Sequence, residues 1–134
     1  LPIYAEGYMG RLRCVQEISA VTAACMMVKT SVFKAVGGFD EELKVAFNDI
    51  DLCMKVRKYG VKIVFTPYAE LYHYESKSRG MEDTPEKQLR FSREVNCFRR
   101  KWERELLKGD PYYNPNLTLN NTDCSLRKQE KNGD

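Results

Sequence analysis

The feature that most constrains the fold is the run at residues 20–28, "AVTAACMMV", in which every residue is apolar or small. A membrane-crossing helix needs about 20 such residues, so nine cannot span a bilayer. A short continuous run of this kind suits a strand buried on both faces, as in a parallel or mixed sheet. The chain is therefore expected to be α/β, with other elements covering that strand.

The elements that follow have local signals. Thr30 or Ser31 can cap a short helix, "SVFKAV", which Gly37-Gly38 closes. The two glycines and Phe39-Asp40 make a tight turn whose backbone can approach another group closely. A second helix starts at Asn48 and Asp49, both good N-cap residues. Its apolar side carries Ile50, Cys53 and Met54, its last turn Lys55, Arg57 and Lys58, and its stop is Gly60. "VKIVF" and "AELYHY" read as two strands separated by Thr66-Pro67, with His73 on the same face as Leu71. Pro85 opens a long helix to about Lys108, with Phe91, Val95, Phe98, Trp102 and Leu106 as its apolar stripe. Asp110-Pro111 ends it, and a charged tail at residues 128–134 is expected to be disordered.

Composition narrows the function classes. With 134 residues, 43% hydrophobic and 31% charged, the chain can form one soluble domain with a core. A net charge of +3 is too small to imply nucleic-acid binding, and Glu94, Glu103 and Glu105 dilute the basic helix at residues 90–104. The five cysteines are scattered and never form C-x-x-C, which fits reduced, mostly buried thiols in a cytoplasmic protein. The first residue is Leu1 rather than Met, so a cut piece of a longer protein is expected.

Few residues can carry chemistry: Asp40, Asp49, Asp51, His73, Lys77 and Arg79. Asp49-Ile50-Asp51 spells Asp-x-Asp, a pattern of metal-dependent sugar transferases. Two residues apart on a helix, however, the carboxylates point about 200° apart and cannot easily clamp one metal. One acid can face a cleft while the other caps the helix or meets a basic neighbour; both can also merely solvate the first turn. His73, near a strand end, reads as a hydrogen-bonded structural residue or a ligand. Lys77 and Arg79 read as a solvated loop or as phosphate contacts.

Three segments appear in a specific order: "SAVTAACMMVKTSVFKAVGGFDEEL", "VAFNDIDLCMKVRKYGVKIVFTPYAELYHYES" and "DPYYNPNL". Together they resemble the carboxyl half of a family 2 glycosyltransferase over residues 8–119. The nearest resemblance is to bacterial enzymes of surface polysaccharide and O-antigen assembly, including rhamnosyltransferase-like members. The resemblance implies the carboxyl-terminal half of a GT-A, Rossmann-like fold: a mixed sheet flanked by helices, with a long C-terminal helix. Residues 1–127 would form the acceptor-side half, and the donor-binding half would be absent.

The resemblance further implies an inverting transfer that needs a divalent cation, Mn or Mg. Asp49 takes the family's general-base position and His73 that of the residue holding metal and diphosphate. Lys77 and Arg79 would support the diphosphate, and Asp51 would be structural or orienting. Gly37, Gly38, Phe39 and Asp40 map to the acceptor-side turn. Asn48, immediately before the base and counted with the acceptor-binding residues, stands where the family commonly has Glu. Ala23 replaces a common Gly before "AC". The implied partners are a nucleotide-diphospho-sugar donor and a glycan or lipid-linked saccharide acceptor, with no nucleic acid. The location would be the cytoplasm or the inner face of the membrane. A truncated half is expected to be inactive alone and to self-associate through exposed edges. The competing readings are a noncatalytic carbohydrate-binding or scaffold module, and a polyanion- or membrane-surface-binding protein.

Overall fold

The computed structural model describes residues 5–72, 84–121 and 123–128. His73, Lys77 and Arg79 lie outside the described residues, as does the tail beyond Lys128. Helix α1 (Thr30–Ala35) begins after extended Lys29, whose carbonyl accepts the first helical bond from Phe33. Thr30 and Ser31 are therefore inside the helix, and neither caps it. Gly37 (φ 77°) and Gly38 (φ 64°) turn the chain left-handed, and the Gly38 N–H reaches the Phe33 carbonyl at 2.9 Å. The closure expected from the glycine pair is thus formed.

Helix α2 (Asn48–Lys58) buries Asp51, Leu52, Cys53 and Val56. Its N-cap is Phe47, without a side-chain cap, so Asn48 and Asp49 sit in the first turn instead. Gly60 (φ 92°) ends it as expected.

The strands depart most from expectation. Residues 19–28 form no strand: Ala23–Cys25 make a single 3-10 turn, and Met27 is 98% exposed. An apolar run becomes a strand only when a neighbour supplies N–H and C=O partners, and among the described residues no strand flanks this one. "VKIVF" shortens to β2 (Val64–Phe65), paired antiparallel with β1 (Gln16–Glu17) in the register Gln16 opposite Phe65. The sheet among the described residues is therefore two-stranded and antiparallel, where a mixed sheet was expected. "AELYHY" has no strand through Tyr72. Lys62 pairs with Glu17 beside this ladder, and the Tyr112 hydroxyl donates to Glu17 at 3.1 Å.

The long helix is also interrupted. Thr84 caps α3 (Pro85–Lys101), Trp102 leaves helical geometry (φ −114°, ψ 19°), and α4 (Glu103–Lys108) follows. Phe98 and Trp102 are buried with Leu43, against Phe47, Met54 and Cys97, while Phe91 and Leu106 remain exposed.

A charged chain joins these pieces. The Asp51 side chain is 0% exposed. Its Oδ1 accepts from the Trp102 indole N–H at 2.8 Å and from the Lys101 ammonium at 2.7 Å. Its Oδ2 has the Lys55 ammonium at 3.2 Å as counter-charge, without an aligned hydrogen bond. Lys55 also donates to the Gly38 carbonyl at 2.6 Å, and Lys101 pairs with Asp40. Lys101 and the Glu42 N–H hold the Asp40 carboxyl below its usual range. Burial pulls the Lys101 ammonium down, but hydrogen bonds to Asp40 and Asp51 outweigh it and raise its pKa.

Two outcomes follow from this packing. Trp102→Phe keeps a ring but leaves Asp51 one donor short, and should lower the unfolding free energy by about 1–3 kcal/mol, read from urea melts. An unchanged urea midpoint would count against the indole bond. The second concerns pH. Asp40 is depressed, so its stabilisation is complete above its unfolded pKa and lost as pH falls through its folded pKa. Lys101 is raised, so its stabilisation is complete below its unfolded pKa and lost as pH rises through its folded one. The stability gap between wild type and Asp40→Asn should therefore be constant from about pH 5 to 9 and close below about pH 4. A gap that widens in acid would contradict this pairing.

Candidate active site

Asp49 projects from the first turn of α2 toward the segment that was expected to be a strand. Its Oδ2 accepts from the Ala23 N–H at 3.1 Å, and its Oδ1 from the Ile50 N–H at 2.9 Å. One turn on, the Cys53 thiol contacts the Val21 carbonyl at 3.7 Å, and burial pushes that thiol's pKa up. The Asp49–Cys53 face of α2 thus lies on residues 21–23.

Asp51 lies on another face, fully buried among Trp102, Lys101 and Lys55. The two acids share no partner and do not converge. Among the described residues, no group of three or more His, Cys, Asp or Glu is placed to hold a metal ion. The described side chains therefore do not by themselves fit the divalent cation implied by the resemblance.

The turn at residues 37–40 reaches this helix through Lys55 and Lys101. Gly37 has open space where a Cβ would be, whereas a Cβ on Gly38 would meet the Phe33 ring at 3.1 Å. Phe39 is half-exposed and packs edge-on against Phe33, with ring centroids 5.6 Å apart. The Asp40 carboxylate is held by Lys101 and the Glu42 N–H. Asn48 is half-buried at the start of α2. The structure links Gly38 and Asp40 of the turn, through Lys55 and Lys101, to Asp51 on α2, and places Asn48 and Asp49 in the first turn of that helix; His73, Lys77 and Arg79 lie outside the described residues.

Sequence reasoning missed two residues that position this site. Phe47, immediately before Asn48, has φ 62°, an outlier for a bulky side chain that costs on the order of 1–3 kcal/mol. Stacking on Phe98 (5.1 Å) and a tilted contact with Phe91 (5.9 Å) hold it there. Glu94 is 3% exposed and accepts from the Ala46 N–H at 2.6 Å, with the Arg90 Nε at 3.8 Å. Its position on the α3 face between Phe91 and Phe98 was the available signal.

A third face of α2, carrying Ile50, Met54 and Arg57, borders an open cavity of about 1200 Å³ with Phe47, Phe98 and Trp102. Chemically, the site offers the half-buried Asp49 carboxylate in the first turn of α2, and a charged network that ties Asp51 in the same helix turn to the glycine turn. Among the described residues, no helix is long and apolar enough to cross a membrane.

Residues 4–95 match the model of glycosyltransferase like family 2. Uncharacterized protein y4gI of Sinorhizobium fredii is 58% identical over 121 residues, which cover 90% of this chain and 13% of that protein. The O-antigen biosynthesis protein RfbC of Myxococcus xanthus is 39% identical over 115 residues, 86% of this chain and 9% of that protein. An N-acetylglucosaminyl-diphospho-decaprenol L-rhamnosyltransferase of Mycobacterium tuberculosis is 36% identical over 62 residues, 46% of this chain and 20% of that enzyme. The chain thus spans a fifth or less of these relatives' lengths, and no solved structure matches it. With 92 of its 134 residues inside the family match, this chain belongs to glycosyltransferase like family 2.

Proposed function

We propose that the chain is the acceptor-side part of an inverting GT-A-type glycosyltransferase that moves a sugar from a nucleotide-diphospho-sugar to a glycan or lipid-linked saccharide in surface polysaccharide synthesis. The observation that carries this reading is the Asp49 carboxylate, held by the Ala23 amide at the start of α2 in a family 2 domain. The names of RfbC and the rhamnosyltransferase support the polysaccharide context.

A sugar hydroxyl is a weak nucleophile. Asp49 would accept its proton as the oxygen attacks the anomeric carbon from the side opposite the diphosphate. The carbon–oxygen bond to the diphosphate breaks, the configuration inverts, and the nucleoside diphosphate leaves with the bonding electrons. Lys77 and Arg79 would stabilise its charge. Gly37, Phe39 and Asn48 would border the acceptor, and Asp40 would shape their turn. A divalent cation, general in this family, would neutralise diphosphate charge; His73 is its proposed ligand here, with the remaining ligands supplied from outside this chain. The reaction would take place in the cytoplasm or at the inner face of the membrane.

Asp49→Asn keeps an oxygen for the Ala23 N–H but cannot take a proton. In the parent-length protein it should lower turnover about 10²–10⁴-fold while donor binding survives. Retained turnover would remove Asp49 from the role of base. His73→Ala should weaken metal-dependent donor binding measured by calorimetry with Mn and Mg, and unchanged metal affinity would end the ligand assignment.

A further inference from the structure

We infer that Lys101 is a positioning residue for this transfer: with Lys55 and Asp51 it locks the glycine turn to the helix turn that carries Asp49. The inference rests on the reading of Asp49 as the base. Each of the two ammonium groups touches both the turn at residues 38–40 and Asp51. Lys101 joins Asp40 to Asp51 Oδ1, the latter at 2.7 Å. Lys55 joins the Gly38 carbonyl at 2.6 Å to Asp51 Oδ2 at 3.2 Å. Asp51 is two residues beyond Asp49 in the same α2 turn, so a shift of one moves the other.

Stability alone does not explain this placement. Burying paired charges seldom stabilises more than apolar side chains of similar volume would, whereas a charge network specifies one geometry. Leu52, Cys53 and Val56 already bury α2. Every contact of the network nevertheless converges on the first two turns of α2 and the turn beside it. Asp40, bound by Lys101, then acts through that lysine on the distance between turn and base.

The test uses the parent-length enzyme, with UDP-, GDP- and dTDP-sugars as donor probes and a polyprenyl-diphosphate-linked saccharide as acceptor. Lys101→Met should lower kcat per folded molecule by about 10–100-fold, as expected for a misplaced reacting group, with the donor KM unchanged. Lys101→Arg, which keeps a cation between the two carboxylates, should restore most of that loss. Asp40→Asn should lower kcat in the wild-type background and add little in Lys101→Met, because the two act as one unit. Wild-type kcat per folded molecule in Lys101→Met, or no rescue by arginine, would overturn the inference. If Lys101→Met does not fold, Asp40→Asn decides: it leaves Asp51 with its donors, and a wild-type kcat there would overturn the inference. Asp49→Asn run alongside separates the two claims, since activity in that variant defeats the base assignment itself.

Discussion

A carboxylate with no exposure to water needs compensation within the protein, and Asp51 obtains it from Lys55 on α2, Lys101 at the end of α3 and Trp102 just beyond it. Removing one partner from such a buried pair costs about 3–5 kcal/mol, a large share of the roughly 5–15 kcal/mol that stabilises a domain. The position of α2 against the end of α3 therefore depends on this one group. The break at Trp102 belongs to the same arrangement: consecutive residues Lys101 and Trp102 both donate to Asp51 Oδ1 at the point where the helix stops. The glycine turn joins through the hydrogen bonds of Lys55 to the Gly38 carbonyl and of Lys101 to Asp40. Three segments distant in sequence are thereby held around one side chain.

Punctuation in the fold was legible because its causes are local. Gly37-Gly38, Gly60, Pro85 and Asp110-Pro111 act through backbone geometry within a few residues, and each boundary is found near its signal. The helix spacing that separates Asp49 from Asp51 is equally local. Residues 19–28 were not legible in the same way, because strand formation depends on a partner strand far away in sequence. The break at Trp102 escaped notice for a similar reason: an apolar stripe records which side faces the core, while the indole's partner lies 51 residues earlier.

The same division applies to the site. The resemblance pointed to Asp49, and helix geometry separated it from Asp51. Phe47 offered no signal, because aromatic residues rarely adopt a left-handed backbone, and only its contacts with Phe98 and Phe91 explain it. Glu94 was visible as an acid on the apolar stripe, yet its partner is a backbone N–H that no side-chain pattern identifies. Together they fix the chain just ahead of Asp49: the Glu94 carboxylate takes the Ala46 amide, and Phe47 turns the next peptide into the helix.

The bond between the Ala23 amide and Asp49 bears on what the apolar run can become. An N–H pointing at a carboxylate cannot also join a strand ladder, and the 3-10 turn at Ala23–Cys25 interrupts extended geometry at that place. A strand from elsewhere in a longer protein could pair with residues on either side of this turn but would have to leave a gap at Ala23 while Asp49 holds it. Helix α2 completes the division of labour. Successive residues rotate by about 100°, so one helix turn can present Asp49 to that gap, Asp51 to the charged network and Ile50 to the apolar cavity. Asp-x-Asp on a strand end would aim both acids at one point. On this helix the same spelling keeps one carboxylate at the surface of the site and places the other in the core that holds it.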